Sequence, residues 1–162
     1  TKVELMKNAD IAMYEAKITH TNQKYFFFDS DLSEKVQKKH SLEVMLKNSN
    51  FDNEFKLYYQ PQYRTSDNKL VGMEALLRWI HPEEGFISPA DFIPIAEETG
   101  IIFSLGEWVI NQAMCQVKAW NQKYNMDLQV GINISPLQIE NSDFVNRIRQ
   151  KIHDEDIKPE WD

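Results

Sequence analysis

The sequence lacks several features that mark common classes of protein. Its 162 residues include a single cysteine, Cys115, which excludes an internal disulfide and favours a reducing compartment. No apolar run approaches the roughly 18 residues that a membrane-spanning helix needs. The first residues also lack the basic-then-apolar pattern of a signal peptide. We therefore expect this segment to be cytoplasmic without membrane contact, and any anchor of a longer parent protein to lie upstream of Thr1.

The chain also has no excess of basic residues. It carries 18 Lys and Arg against 25 Asp and Glu, which gives a formal net charge of −7. Phosphate backbones and anionic lipids attract basic patches, so this balance argues against DNA and membrane surfaces as partners. A small phosphorylated ligand stays compatible with it, because a few well-placed basic side chains can bind one.

The first 50 residues hold too few elements to enclose a core. Apolar residues at three- and four-residue steps predict a helix over residues 1–17, and the aromatic run 25–28 is typical of a short strand. Residues 29–53 are polar and helical in character, with Leu42, Met45 and Leu46 as their apolar contacts. We expect the helix and strand to pack on other segments, and the polar stretch to connect them to a second domain.

Strands and helices alternate after Phe51. The pattern predicts three strands, over residues 55–60 (closed by Pro61), 70–80 and 129–135. Such alternation favours a mainly parallel sheet or barrel. A complete eight-stranded barrel needs about 200 to 250 residues. The expected fold class is therefore α/β, either a small open unit or a truncated (β/α)8 TIM-type barrel with about its first three strands.

Capping residues predict where the helices of this region begin. Ser88, followed by a proline and an acid, marks the start of a helix that ends at Gly100, and Ser104 with Glu107 predicts a second start. The second helix should bury one face, and Cys115 is expected on it as a small buried hydrophobe. The residues of that face are Val109, Ala113, Val117 and Trp120. A further amphipathic helix is expected over residues 143–153.

Two charged residues lie on one face of the second predicted strand. Strand side chains alternate, so Glu74 and Arg78 share a face with Gly72 and Leu76. An unpaired buried charge is very costly. The pattern alone favours equally a functional pair and a buried ion-pair network with other partners.

Two amide side chains on the other strands could join them. Asn133 has small neighbours on its face of the third strand and offers an oxygen ligand of the kind that Mg²⁺ prefers. Glu74 and Asn133 together could thus be two ligands of one cation. Gln60 could hydrogen-bond a ligand at the end of the first strand, although the strand pattern alone favours an edge residue before Pro61.

These residues stand in ordered motifs that cover most of the chain after Phe51. They read EFKLYYQP at 54–61, GMEALLRW at 72–79, HP at 81–82, GFISP at 85–89, FIP at 92–94, AEETG at 96–100, LGEWV at 105–109 and NIS at 133–135. Together these motifs resemble the EAL domain family of cyclic di-GMP phosphodiesterases, and their number and order make the resemblance specific.

The resemblance implies a reaction and a set of site residues. Glu74 and Asn133 would be metal ligands for Mg²⁺ or Mn²⁺, and Gln60, Glu74, Leu76 and Arg78 would bind the substrate, with Arg78 holding a phosphate. The reaction would be the hydrolysis of one phosphodiester bond of cyclic di-GMP to linear pGpG, in bacterial second-messenger signalling. By the same resemblance, the full-length parent would be a homodimer.

The upstream segment has a resemblance of its own. ADIAMYEAK at 9–17 is similar to the last helix of a GGDEF (diguanylate cyclase) domain, although the step that usually follows is replaced by His20-Thr21. The implied organisation is a GGDEF tail at 1–30, a helical connector at 31–50 and the N-terminal half of an EAL domain at 51–162. The signature loop of a cyclase would lie upstream, so no cyclase activity is expected.

Several interpretations of the chain remain open at this level. The other family ligands and the catalytic lysine would lie beyond Asp162, so no complete catalytic set is expected and the fragment alone should be inactive. A rival is a catalytically silent cyclic di-GMP receptor or protein-interaction regulatory module. A third is a structural fragment with no activity of its own.

Overall fold

The computed structural model describes residues 1–18 and 30–154. The strand predicted over residues 25–28 lies outside them. The chain divides into two compact units, Thr1–Leu46 and Lys47–Asp162. None of the described helices is long and apolar enough to cross a bilayer.

The described residues of the first unit are helical. Helix α1, Lys2–Ile18, confirms the helix predicted over residues 1–17, and α2, Ser30–Asn48, begins in this unit and runs just past its end. Leu42 and Leu46 of α2 are buried, as expected for its apolar contacts. The domain boundaries that the sequence predicted at residues 30 and 50 stay a prediction.

The second unit is built around a four-stranded mixed sheet. The strands are β1 (Phe55–Tyr63), β2 (Leu70–His81), β3 (Gly85–Ile87) and β4 (Gln129–Ile132). Strand β2 pairs antiparallel with β1 along one edge; its other edge pairs antiparallel with β3 and parallel with β4. The expectation of a mainly parallel sheet was therefore wrong for these strands. A turn of three residues, 82–84, is enough to return the chain antiparallel from β2 to β3, whereas a crossover containing helices is needed to reach the parallel β4.

Five helices accompany the sheet in this unit. Their bounds are α3 (Phe51–Glu54), α4 (Pro89–Thr99), α5 (Ile101–Tyr124), α6 (Pro136–Ile139) and α7 (Ser142–Asp154). Helix α4 begins as predicted, since Ser88 Oγ accepts a hydrogen bond from the Ala90 amide at 3.3 Å. It ends at Gly100, whose φ of 76° lies in the left-handed region that glycine adopts without strain.

The predicted start of α5 at Ser104 was wrong. Gly100 alone separates α4 from α5, and α5 is already helical from Ile101. The Ser104 hydroxyl donates to the Ile101 carbonyl at 3.0 Å, a bond within the helix rather than a cap. The Ser-x-x-Glu pattern therefore occurs inside a helix here, because the αL glycine had already turned the chain.

The buried core lies on the side of the sheet that the helices cover. Trp79 of β2 is fully buried and stacks on Phe55 at 5.4 Å between ring centroids, while Phe92 of α4 meets Trp79 edge-on at the same distance. Trp79 Nε1 donates to Glu54 Oε2 at 3.0 Å, so the buried indole is satisfied. These contacts place Trp79 on the face of β2 that the helices cover.

Helix α5 buries the face that the sequence predicted. Val109, Ala113 and Val117 are buried, and Trp120 packs edge-on against Tyr59 of β1 at 4.8 Å. Cys115 is exposed, so its predicted burial was wrong. Its position two residues from Ala113 and Val117 turns it away from their face of the helix.

Two strand ends differ from the prediction. Strand β1 continues through Pro61 to Tyr63 and pairs with one strand only in the described residues. An edge position tolerates proline because the missing amide is not needed by a second neighbour. Strand β4 ends at Ile132, three residues earlier than predicted, so Asn133 lies in the loop that leads to α6.

Candidate functional site

The face of the sheet opposite the core carries the predicted site residues. Gln60 of β1 pairs with Glu74 of β2, and Glu74 pairs with Gly131 of β4, so one row crosses three strands. Paired residues point to the same face of a sheet. Gln60 and Gly131 are exposed and Glu74 is half-buried. The row is therefore an open, polar surface next to a position without a side chain.

Asn133 closes this row from the loop after β4. Its Nδ2 donates to Glu74 Oε1 at 2.8 Å, a bond between residues 59 positions apart in sequence. The structure thus brings together the two residues that the sequence predicted as ligands of one cation. Asn133 itself is exposed, which leaves the amide accessible from solvent.

Arg78 lies farther along the same face, close to an aromatic ring. Its Nη1 donates to the Leu77 carbonyl at 2.8 Å, and its guanidinium carbon lies 5.7 Å from the centroid of the Tyr58 ring. Arg78 lies four positions after Glu74, about 13 Å along β2. The two charges therefore do not pair with each other, and the alternative of a buried ion-pair network does not describe this half-open face.

Leu76 stands between the two charged residues. It is half-buried and pairs with Tyr58 across β1 and β2. The face thus presents, in order along β2, a carboxylate, an apolar side chain and a guanidinium with an aromatic ring beside it. A phosphate, an apolar or aromatic group and a cation could each find a complementary contact here.

Apolar contacts with a buried cluster anchor the loop that carries Asn133. Ile132 and Ile134 pack against a buried cluster formed by Ile110, Met114 and Phe144. Because neighbouring residues of an extended segment point to opposite sides, anchoring these two isoleucines turns Asn133 toward the polar face.

Three polar residues of this region were missed as site residues by the sequence analysis. Ser135 Oγ donates to Glu97 Oε1 at 2.6 Å, and the Ser135 amide donates to Gln138 Oε1 at 3.1 Å. The pattern Ser-Pro-Leu-Gln at 135–138 is of the capping-box type and could have predicted the second bond. No local pattern predicts the first, because it joins residues 38 positions apart.

The donor set suits a hard cation in chemistry but is small. Glu74 offers carboxylate oxygens and Asn133 a carboxamide oxygen, the ligand types that Mg²⁺ and Mn²⁺ prefer. Binding through Oδ1 requires the Asn133 amide to turn over, because Nδ2 now faces Glu74. Within residues 1–18 and 30–154, no three His, Cys, Asp or Glu side chains are grouped so that they could hold a metal ion. The two residues therefore fit as part of a ligand set.

The comparisons with known proteins identify the family. The EAL domain family matches residues 43–162. The bifunctional diguanylate cyclase/cyclic di-GMP phosphodiesterase MucR of Pseudomonas aeruginosa is 36% identical over 159 residues, which are 98% of this chain and 23% of MucR. The cyclic di-GMP phosphodiesterase PA2567 of the same organism is 44% identical over 91 residues, 56% of this chain and 15% of that protein.

The fold of the chain is also similar to that of a solved structure. The complex of PaMucR phosphodiesterase with c-di-GMP superposes with a TM-score of 0.68 at 34% identity, covering 74% of this chain and 48% of that one. The chain thus spans 23% of the length of MucR and 15% of that of PA2567, less than a quarter of each curated relative. It spans about half of the chain in the solved structure.

Proposed function

The chain belongs to the EAL domain family, and from this premise we propose that it supplies one side of a metal-dependent cyclic di-GMP phosphodiesterase site. The observation that carries the proposal is the row Gln60–Glu74–Gly131, closed by the Asn133–Glu74 hydrogen bond of 2.8 Å. It gathers a carboxylate, two carboxamides and open space on one face of a rigid sheet. The relatives that carry phosphodiesterase in their names support the reaction.

Each proposed residue has a chemical role suited to its type. Glu74 and Asn133 would hold Mg²⁺ or Mn²⁺ through oxygen. Arg78, with its planar set of donors, would bind a phosphate of the substrate, and Gln60 and Leu76 would contact the nucleotide. A bound divalent ion would activate water and neutralise charge on the phosphoryl oxygens. The product would be linear pGpG.

We further propose that hydrolysis needs residues that residues 1–162 do not provide. The chain corresponds to 48% of the solved PaMucR phosphodiesterase chain, and Glu74 and Asn133 are only two oxygen ligands where Mg²⁺ takes six. The site would be completed by the part of the fold that matches the other half. Residues 1–30 would be the tail of a GGDEF domain, 31–50 a connector and 51–162 the first half of the EAL domain, within a homodimer.

The test is product analysis. Cyclic di-GMP is incubated with the full-length protein and Mg²⁺ or Mn²⁺, and the nucleotides are separated by chromatography. A peak of pGpG that disappears with a chelator supports the proposal. Binding of cyclic di-GMP without any product would instead support a silent receptor, and the absence of both binding and product would overturn both functions.

The isolated chain gives a second comparison. We expect residues 1–162 to yield no pGpG under the same conditions. Metal-dependent hydrolysis by these residues alone would contradict the proposal that the site is shared with another part of the fold.

A further inference from the structure

The loop between β4 and α6 is tied to two helices by polar contacts that the proposed reaction does not use directly. Ser135, two residues after Asn133, donates its hydroxyl proton to Glu97 Oε1 of α4 at 2.6 Å. Both residues are half-buried. A hydrogen bond to a carboxylate is short and about twice as strong as one between neutral groups, so it fixes the loop to α4.

The second contact involves a buried amide. Gln138 of α6 is 2% exposed, and its Oε1 accepts from the Ser135 amide at 3.1 Å. Its Nε2 is also buried and has no hydrogen-bond partner among the described residues. An unpaired buried donor costs free energy. The side chain is thus held in this position by packing and by the Ser135 contact.

A glycine provides the space for this amide. A Cβ at Gly106 of α5 would lie 1.9 Å from Gln138 Nε2 and 2.9 Å from its Cδ. Gly106 has an ordinary helical position within α5, so its conformation does not call for glycine. The close approach does, since any side chain would displace the Gln138 amide and with it the contact to Ser135.

We propose that Glu97, Ser135, Gln138 and Gly106 form a positioning unit that holds Asn133 against Glu74. Glu97 and Gln138 fix Ser135 from opposite sides, one through its hydroxyl and one through its amide. Ser135 in turn limits the freedom of the loop, so that the Asn133 carboxamide stays within hydrogen-bond reach of the Glu74 carboxylate. The four residues act through Asn133 and do not themselves touch the proposed ligand. The inference rests on the proposed function for its consequence, metal binding, but not for its geometry.

The first experiment tests the Asn133–Glu74 hydrogen bond independently of metal binding. In the metal-free chain, the solvent exchange of the Asn133 side-chain amide protons is measured by nuclear magnetic resonance, with the signal assigned from its loss in Asn133→Ala. Because one of the two Nδ2 protons is donated to Glu74, we expect the exchange of that proton to be slower than that of the other, solvent-accessible one in the wild type. Ser135→Ala and Glu97→Ala should each accelerate it several-fold.

Conservative variants distinguish positioning from charge. Ser135→Thr keeps the hydroxyl and should exchange like the wild type. Glu97→Gln keeps an acceptor oxygen but forms a weaker neutral bond, so its exchange rate should lie between those of the wild type and Glu97→Ala. Ser104→Ala is the matched control, because it removes a serine hydroxyl bonded only within α5. If the Asn133 amide proton exchanged as fast in Glu97→Gln as in Glu97→Ala, the inference would be overturned in favour of a direct role for the negative charge.

The apparent affinity for Mn²⁺, followed by electron paramagnetic resonance of the full-length protein, is the second readout. Removing a direct hydrogen-bond partner of a metal ligand costs roughly tenfold or more in affinity. Ser135 and Glu97 act on Asn133 only through the loop, so Ser135→Ala and Glu97→Ala should each weaken binding by at most about tenfold. Failure of the wild type to bind Mn²⁺ would contradict the proposed function and leave the amide exchange to decide the positioning unit. Unchanged Asn133 exchange in both alanine variants would overturn the unit even if the metal binds.

Discussion

Gln60 lies directly opposite Glu74 in the antiparallel pairing of β1 with β2. Side chains paired in this way have Cβ atoms about 4.5–5.5 Å apart. A single ligand can therefore contact the Gln60 amide while a group bound at Glu74 remains within reach. This relationship turns a pair of sequence motifs, separated by a turn, into one surface.

Replacing Gln60 by alanine should weaken ligand binding without harming the fold. One lost hydrogen bond costs about 0.5–1.5 kcal/mol, which predicts a Kd for cyclic di-GMP raised between about twofold and tenfold. Isothermal titration calorimetry of the full-length protein, with a chelator present to prevent turnover, measures it. Gln62→Ala, two residues along the same exposed edge, is the control, and an equal loss there would contradict the role of Gln60.

Replacing Asn133 by aspartate should separate the metal-free and metal-bound states. The change removes the Nδ2 donor and places a second carboxylate beside Glu74, so the metal-free protein should lose about 1 kcal/mol of stability, or about 2–4 °C in Tm. Mn²⁺ would neutralise the pair and should raise the Tm of the variant more than that of the wild type. Thermal unfolding with and without Mn²⁺ measures both effects.

The matched control is Asn146→Asp on the exposed surface of α7. It introduces the same charge far along the chain from Glu74, and its response to Mn²⁺ should equal that of the wild type. A variant at position 133 that Mn²⁺ stabilises no more than this control would argue against Asn133 as a ligand.

Arg78 and Tyr58 should act together in binding phosphate. Arg78→Lys keeps the charge but loses the planar donor set, so the Kd for cyclic di-GMP should rise about tenfold. Tyr58→Ala removes the ring 5.7 Å from the guanidinium and should cost about 0.5–1 kcal/mol, a two- to fivefold effect, whereas Tyr58→Phe should not.

The same calorimetric titration measures all three variants. Arg149→Lys on α7, also exposed, serves as the control for the arginine. If Tyr58→Phe were as weak as Tyr58→Ala, the hydroxyl and not the ring face would be the contact.

Tyr59, on the opposite face from Glu74, should give the protein an alkaline limit of stability. Burial, with a smaller contribution from the nearby Cys115, raises the pKa of Tyr59 above its ordinary value of 10.0. The unfolded chain then loses the Tyr59 proton at lower pH than the folded chain. The contribution of Tyr59 to stability is therefore fully present below pH 10 and is lost as the pH rises through the folded pKa. Urea unfolding above pH 10 should show a steeper loss for the wild type than for Tyr59→Phe, and equal slopes would contradict it.

The sequence predicted those parts of the fold that depend on local pattern. Alternation along β2 assigned Glu74 and Arg78 to one face and Trp79 to the other, and the Ser88 cap and Gly100 marked the two ends of α4. The start of α5 was wrong, because the αL conformation of Gly100 links two helices without a loop. The short strand β3 was absent from the prediction, since three residues are too few for a pattern.

The residue types of the candidate site could be predicted from the sequence, but the contacts that support them could not. Glu74 and Asn133 followed from ligand chemistry and from the family resemblance. The bond between Ser135 and Glu97 and the space that Gly106 leaves for Gln138 could not be predicted, because each joins elements that are distant in sequence. Long-range contacts of this kind are set by how α4, α5 and β4 pack, which no local periodicity encodes.

Hydrolysis of cyclic di-GMP by the full-length protein and by its Glu74→Ala variant, with Mg²⁺ or Mn²⁺, tests the central claim most directly. Glu84→Ala, in the exposed turn between β2 and β3, controls for the loss of a carboxylate. If Glu74 is a metal ligand in the proposed site, pGpG formation should be lost in Glu74→Ala and kept in Glu84→Ala. Equal turnover by the wild type and Glu74→Ala would contradict the account.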